Sequence, residues 1–346
     1  MGVSIIPIPG IRFQDTDGVS QQFKHVGNKI RVSPMPYLYD IAENNLASHY
    51  IFLKTGSNAS VGTTEEIISP QGGILTHLST AEQLQIVSSD VDDQGLLVDS
   101  GTATGGSATT LIDSGGGFTA AATVGDLIIN DTDCSVAIIL TKTSDTILTV
   151  YKFTEGTDNA FESGDAYRIV NANDTGAAVV GILGLDSDWN PQCEFIILNG
   201  QTDVTTVGSY LRINDFTVRL AGSSEANEGN IDIENNASAL IISRILTGTN
   251  HAMAGFWTVP DGHTLYITSG DASDESKSGT TMRLYVRKYT HVFKLQYKLK
   301  LNSNAQQINL PPFKVEERSD IELRALSVLA GGDICASLFG WYEANI

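Results

Sequence analysis

The feature that most constrains the fold is a recurrent alternation of short apolar runs with clusters of Gly, Asn and Asp. The runs are rich in Val, Ile, Leu, Thr and Tyr, which favour strands, while the clusters favour turns. No long segment has the apolar period of an amphipathic helix. The sequence therefore predicts an all-β protein with a β-sandwich or jelly-roll-like outer region. The candidate strands are 50–54, 84–88, 126–129, 135–141, 147–151, 178–185, 194–198, 210–220, 231–233, 264–269, 282–289, 293–301, 321–327 and 334–341.

A change in composition indicates that the outer region is interrupted. Residues 95–175 are richer in Gly, Thr and Asp, and poorer in Lys and Arg, than the sequence on either side. We interpret this stretch as a small inserted β domain that folds on its own, since insertions are tolerated at surface loop tips. The predicted organisation is an N-terminal segment (1–49) that could serve as an assembly arm, a split outer region (50–94 and 176–346) and the insert.

Charge restricts the partners that this chain can have. The net charge of −19 opposes nonspecific binding to nucleic acid or to an anionic membrane surface. Residues 281–300 are the exception, because they contain six cations and no acid. These cations alternate with apolar residues, as in a hairpin with one wet face. We expect this stripe either to dock an acidic partner or to form a solvated face that opposes edge pairing. The stripe consists of Arg283, Arg287, Lys288, Lys294, Lys298 and Lys300.

The sequence has no recognisable motif for metal binding or catalysis. The three cysteines, Cys134, Cys193 and Cys335, are far apart and lack metal-ligand spacing, so we interpret them as free thiols. The six histidines have no HxxxH spacing, and no GxSxG nucleophile elbow occurs. We expect no enzymatic activity, no cofactor and no bound metal.

The acidic residues are interpreted as turn residues. Pairs such as Asp271 with Asp274 arise by chance in a chain with 40 acids, and turns favour Asp. Another such pair is Glu316 with Glu317. The triplet Asp90, Asp92 and Asp93 resembles part of a calcium loop but lacks the rest of the ligand series.

The first residues of the sequence predict no targeting signal. The first residues lack a charged region followed by a long apolar stretch, so we predict no secretory signal. No apolar run is long enough to span a bilayer, and no membrane partner is expected.

Near the C-terminus, the apolar alternation of 334–341 predicts a core strand, paired as a hairpin with 321–327.

The insert is similar to a small β module that recurs in structural proteins of tailed bacteriophages. The similarity covers nearly the whole insert and rests on several short motifs. They are TATGGS (102–107), LIDSG (111–115), GD (125–126), NDTD (130–133), GTDN (156–159) and GDAY (164–167).

The flanking regions resemble uncharacterised virion structural proteins of marine and environmental tailed phages, over residues 50–94 and 176–341. The motifs are EQLQIVSS (82–89), GLDSDWN (184–190), LNG (198–200), AGSS (221–224), TVPDGHT (258–264), MRLYVR (282–287) and SDIELRA (319–325). Each also has a plain physical reading. Pro260-Asp261-Gly262, for example, is a turn between two strands.

These resemblances imply a non-enzymatic virion protein, synthesised in the host bacterial cytoplasm. We prefer a head decoration or capsid-associated role, because the long repeats and coiled-coil heptads of an extended fibre are missing. Copies are expected to form a homo-oligomer and to contact other virion proteins, such as the major capsid protein or tail components.

Two other functions remain open at this point. One is a tail adhesin that binds host surface glycan, with Tyr151, Phe153, Phe161 and Tyr167 as stacking faces. The other is an enzyme that degrades host polysaccharide, which would need two carboxylates at a fixed separation across a sugar.

Overall fold

The protein is built almost entirely from antiparallel strands. A computed structural model describes strands 23–26 and 29–32 and residues 49–345, except 157, 173, 238–239, 277–278 and 302–305. Within these residues the only helix has four residues, and no helix is long and apolar enough to cross a membrane. The predicted all-β class is confirmed, whereas the narrower sandwich or jelly-roll assignment stays a prediction.

The first strands precede the insert. They are β1 (Phe23–Val26), β2 (Lys29–Val32), β3 (His49–Val61), β4 (Glu66–Ile67) and β5 (Leu84–Ser88). β1 and β2 form a two-stranded hairpin. The rest of the predicted N-terminal segment before His49 lies outside the described residues, so its interpretation as an assembly arm stays a prediction.

The insert, called the module below, forms one seven-stranded sheet, in the order β6-β12-β9-β10-β11-β8-β7. Its elements are β6 (Gly95–Thr102), β7 (Gly105–Ser107), β8 (Thr110–Ile112), helix α1 (Phe118–Ala121), β9 (Leu127–Asn130), β10 (Ser135–Ser144), β11 (Ile147–Val150) and β12 (Ala166–Ala172). The described strands of residues 95–172 therefore pair only with one another.

A second group of strands, called the middle unit, combines β5 with six strands that follow the module. They are β13 (Ala177–Leu185), β14 (Pro191–Ile197), β15 (Val204–Thr205), β16 (Arg212–Ala221), β17 (Ile231–Asn235) and β18 (Ile241–Ile245). The sheets β14-β13-β16 and β15-β5-β17-β18 share one hydrophobic core. Ile86, Ile182, Phe216 and Ile233 are among its fully buried members.

The third group, called the C-terminal unit, combines β3 and β4 with the last seven strands. They are β19 (Phe256–Thr258), β20 (His263–Asp274), β21 (Thr281–Lys288), β22 (Lys294–Lys300), β23 (Gln306–Val315), β24 (Ser319–Leu326) and β25 (Gly332–Ala344). The sheet β19-β24-β21-β22, with β4 attached to β24, and the sheet β23-β20-β25-β3 enclose a separate core. The turn between β19 and β20 contains Gly262 at a φ of +66°, which favours glycine.

The module sheet is buried on both faces at β9. Ile128 on β9 faces the module's own core with Phe118, Phe153, Phe161 and Tyr167. Its neighbours on β9, Leu127 and Ile129, face the opposite way and pack against Val179 and Phe195 of the middle unit. Because side chains alternate along a strand, one strand supplies both cores. Autonomous folding of the module stays a prediction, and its removal would uncover the apolar patch on β13 and β14.

A disulfide also joins the module to the middle unit. The interpretation of all three cysteines as free thiols is wrong for Cys134 and Cys193, which are bonded with their Cα atoms 6.2 Å apart. Cys134 lies in the turn before β10, at a φ of 54°, and Cys193 lies on β14. The two cysteines are 59 residues apart in the sequence, so their pairing could not be predicted from it. Only the packing of the module on β14 brings them together. Cys335 is free, as expected.

The C-terminal strand occupies the centre of its sheet, between β20 and β3. Ile334, Ala336 and Leu338 are buried, which confirms the predicted core-facing alternation. The predicted hairpin of 321–327 with 334–341 is wrong. β24 pairs with β19, β21 and β4 in the opposite sheet, so the chain crosses the core between β24 and β25. The two strands line the same core without pairing.

We predict that Cys193→Ser lowers the free energy of unfolding by about 2–4 kcal/mol relative to the oxidised parent, as loss of a cross-link usually does. Denaturant unfolding measures this, with Cys335→Ser as the control that removes a thiol outside the disulfide. Alkylation of both Cys134 and Cys193 in protein purified under oxidising conditions would contradict the bond.

We predict that a stop after Ala336 gives insoluble protein, because it removes Leu338 and Trp341 from a strand bonded on both sides. The milder Leu338→Ala should remain folded and lose about 2–5 kcal/mol of stability, measured by thermal or urea unfolding. A cooperatively melting truncation would show that the end of β25 contributes little to the core.

Candidate functional site

The structure divides the predicted docking stripe between three environments. Arg283 and Arg287 lie on one face of β21 and are held by internal acids. Lys298 and Lys300 lie on β22 opposite Arg283 and Thr281, exposed and without an ion pair among the described residues. A bulge at Gln296 shifts the register, so that Lys294 lies opposite the partly buried Val286. Lys288 and Lys294 therefore lie at the open edge between the two sheets.

Arg287 belongs to a buried ion cluster centred on Asp320. The Asp320 carboxylate is fully buried and accepts hydrogen bonds from Arg287 at 2.5 Å and from Arg212 of the middle unit at 2.8 Å. The Thr258 hydroxyl donates to the same carboxylate at 2.8 Å, and the ring of His77 is 3.8 Å away. The cluster thus joins β21 and β24 of the C-terminal unit to β16 of the middle unit.

Electrostatics fix the charge state of this carboxylate. Burial raises the pKa of Asp320, but the Coulomb interactions with protonated His77 and with Arg212, together with the hydrogen bonds from Arg212 and Arg287, lower it to about 2. Asp320 is therefore ionised at neutral pH. Arg287→Glu would place a second negative charge next to this buried carboxylate. Arg287 therefore stabilises the fold and is not free to bind a partner.

Arg283 belongs to a second group of internal contacts on the same face. Its guanidinium donates to the Glu65 carboxylate, which also accepts from the Tyr285 hydroxyl at 3.1 Å. Glu322, which is 1% exposed, accepts from His77 at 2.6 Å and from Arg324 at 2.6 Å. This face of the sheet is thus occupied by the chain's own ion pairs.

Phe293 covers part of these charges. The Arg287 guanidinium carbon is 4.3 Å from the centre of the Phe293 ring, and that of Arg324 is 4.7 Å from it. Cation–π contacts of this kind are favourable when partly desolvated. The sequence predicted Phe293 as a strand residue but not its contacts with the two arginines. These contacts depend on the strand register, which places both guanidinium groups against the same ring.

Lys288 and Lys294 of the stripe line a groove, named the basic groove here, with a volume of about 350 Å³. Its polar lining consists of Lys288, His291, Lys294, Lys314 and Glu316. Its apolar floor is formed by Val286, Val292 and Phe313. The groove lies between the β21–β22 hairpin and β23, where the two sheets of the C-terminal unit are open.

Glu316 is the only acid that lines the groove, and its negative charge is already compensated by an ion pair. Lys288 donates to it at 2.7 Å, and the hydrogen bond and charge of Lys288 lower the pKa of Glu316 while the charge of Lys314 adds to the effect. Lys294 and Lys314 are exposed and form no ion pair among the described residues. The groove can therefore accept acidic groups beside an apolar side chain.

His291 and Lys314 were not selected by sequence reasoning. His291 was read only as one of six scattered histidines, and Lys314 precedes two acids and lies on a strand of the other sheet. Nothing local to either residue signals a shared site. Their contribution depends on the two edge strands β22 and β23 being brought together.

Two of the acids that suggested catalysis or calcium binding, Asp93 and Asp274, have structural roles. Asp93 is fully buried, and its carboxylate accepts hydrogen bonds from three backbone amides and the Ser88 hydroxyl. Asp274 is also buried and accepts from Thr280 and Ser276. No group of three potential metal ligands occurs among the described residues.

The proposed aromatic platform of a glycan-binding module is not present as a surface. Phe153, Phe161 and Tyr167 are each 2% exposed or less and form the module's core. Phe153 and Phe161 meet edge to face at 5.0 Å. Only Tyr151 of the four is exposed, at 64%. The module's aromatic residues are therefore occupied by packing.

A second cleft, of about 520 Å³, lies where the module meets β14 and β15. Its charged groups are already paired. Arg168 donates to Asp131 at 2.8 Å and to the Phe195 carbonyl at 2.8 Å, and Glu194 accepts from the amides of Val207 and Gly208. The cleft is a junction held together by its own hydrogen bonds.

We predict that acid destabilises the fold through Asp320. Its pKa is lowered from 3.8 to about 2 on folding, so it contributes about 2 kcal/mol of stability that is fully present above pH 4 and lost as the pH falls towards 2. Asp320→Asn should be less stable at neutral pH by about 3–5 kcal/mol, because Arg212 loses its buried partner.

Urea unfolding between pH 2 and pH 7 measures both effects, with Asp203→Asn as an exposed control. The slope of stability against pH between 4 and 2 should be smaller in Asp320→Asn than in the control. Equal slopes would show that Asp320 is not the acid-labile group.

Comparison with known proteins adds no assignment to this geometry. The chain matches no protein-family model, no curated protein and no solved structure. Its candidate site is consequently defined by its own residues: a basic groove with an apolar floor, at an open sheet edge of a strongly acidic chain.

Proposed function

We propose that this chain is a non-enzymatic structural protein of a tailed-phage virion, which assembles with copies of itself and with other virion proteins. The sequence resemblances of the module and its flanks support this role. We further propose a head decoration or capsid-associated position rather than a tail position, since the sequence lacks the repeats and heptads of an extended fibre.

The observation that carries the proposal is the basic groove on a chain of net charge −19. Lysines on an edge strand oppose the addition of another strand, so we propose contact through side chains in the groove and not through extension of the sheet. A multi-copy protein presents its own acidic surface at high local concentration. The groove is thus suited to an assembly contact.

The position in the particle is tested by quantitative mass spectrometry of purified virions. A copy number comparable with that of the major capsid protein supports head decoration, and one that matches tail components contradicts it. Reducing-sugar release from host polysaccharide would contradict the non-enzymatic assignment. Specific binding on a glycan array would favour the adhesin.

We predict that Lys294→Glu combined with Lys314→Glu weakens self-association about tenfold or more, because two attractions become repulsions. Sedimentation over a range of protein concentrations measures this. The matched control is Lys142→Glu with Lys152→Glu, two exposed lysines of the module. The control has the same net charge, which matters because general repulsion between acidic copies also changes with charge and salt. Equal weakening in both double variants would contradict a specific role for the groove.

A further inference from the structure

A surface of opposite charge to the basic groove lies on the chain itself, in the turn between β5 and the module. This turn, Asp90-Val91-Asp92, presents two carboxylates on either side of an apolar side chain. Val91 is 59% exposed. We call these three residues the acidic turn.

The acidic turn is held in place by the buried carboxylate of Asp93. That carboxylate accepts hydrogen bonds from the amides of Ala177, Glu228 and Gly229, at 2.7, 2.9 and 2.9 Å. These contacts draw together the segments that follow β5, precede β13 and precede β17. The turn is therefore fixed before any partner arrives, which lowers the entropic cost of docking.

Negative charge accumulates around the turn. Partial desolvation raises the pKa of Asp92, and the charges of Asp174, Asp90 and Glu228 raise it further. None of Asp90, Asp92, Asp174 and Glu228 forms an ion pair among the described residues, where no metal-ligand group occurs either. Cations from a partner would relieve this repulsion.

The groove and the turn are complementary in chemistry. The groove combines the apolar side chains of Val286, Val292 and Phe313 with Lys294 and Lys314, two cations without an ion pair in the described part of the chain. The turn has one apolar side chain between two acids. Val292 is 74% exposed, so the floor offers apolar surface to a partner as well.

We propose that the acidic turn of one copy docks into the basic groove of a second copy, with Val91 on the apolar floor and Asp90 and Asp92 beside Lys294 and Lys314. The proposal rests on the proposed self-assembly and names its contact. Groove and turn are different surfaces of the chain, so the contact is head-to-tail and generates rings or open chains.

A reciprocal charge swap tests the contact with the full chain. One variant carries Lys294→Glu and Lys314→Glu, and the other carries Asp90→Lys and Asp92→Lys. Each alone should self-associate about tenfold or more weakly than the parent, because its groove and turn have the same sign. Mixed in equal amounts, they should recover association, since the reversed groove meets the reversed turn and the native groove meets the native turn.

The controls separate charge and folding from docking. Glu162→Lys with Asp203→Lys adds the same charge at exposed acids elsewhere, and it should leave the self-association well above that of the turn variant. Val91→Ser tests the apolar contact without changing charge, at a position too exposed to endanger the fold, and it should also weaken association. All variants are compared by thermal unfolding.

The outcomes distinguish this inference from the proposed function. If the parent assembles and the groove variant does not, but the turn variant and Val91→Ser assemble normally, the groove binds another partner and the inference is wrong while the assembly role stands. If the mixture fails to recover, the two surfaces do not meet. A parent that is monomeric at every concentration and absent from particles would overturn both.

Discussion

The buried carboxylate of Asp320 is the interaction on which the arrangement of the C-terminal and middle units depends. It is fully buried on β24, and it is bonded to Arg287 in its own sheet and to Arg212 of the middle unit. A buried pair adds little by itself, because desolvation offsets much of the attraction, but removing one partner leaves a charge without compensation. The pair therefore specifies where the units meet more than it adds to their stability.

The same principle recurs at the other junctions of the fold. Lys54 on β3 is buried and donates to the carbonyl of Asn214 on β16 at 2.7 Å, and burial lowers the pKa of its amine. Asn214 in turn exchanges two hydrogen bonds with Thr258. Asp93, just before the module, accepts hydrogen bonds from backbone amides of the middle unit. Apolar clusters fill the three units, while buried polar groups fix how the units are joined.

The use of buried polar groups at the junctions explains why the basic stripe contains both internally bonded arginines and exposed lysines. Cations that are bonded to acids of the same chain are used by the fold, as Arg283 is by Glu65 and Arg287 is by Asp320. Cations at an open sheet edge remain available to a partner, as Lys294 and Lys314 are. Sequence reasoning identified the stripe correctly as charged and alternating, but it chose Arg283 and Arg287 as docking residues together with the lysines. Their assignment required knowledge of which face is covered.

The sequence by itself determined the all-β class, because alternation of apolar and polar residues and the turn-forming clusters are local properties. It did not locate every strand, since β6, β12, β18 and β23 had no candidate. Every candidate strand overlaps a strand of the structure, and the alternation of Ile334, Ala336 and Leu338 correctly indicated a buried face. Only the tertiary structure decided which strands pair. It placed β24 and β25 in opposite sheets, joined Cys134 to Cys193, set Arg287 opposite Asp320 and combined Lys294 with Lys314 in one groove. The physical reason is that a period of two fixes the face of a side chain but carries no information about its partner across a long separation.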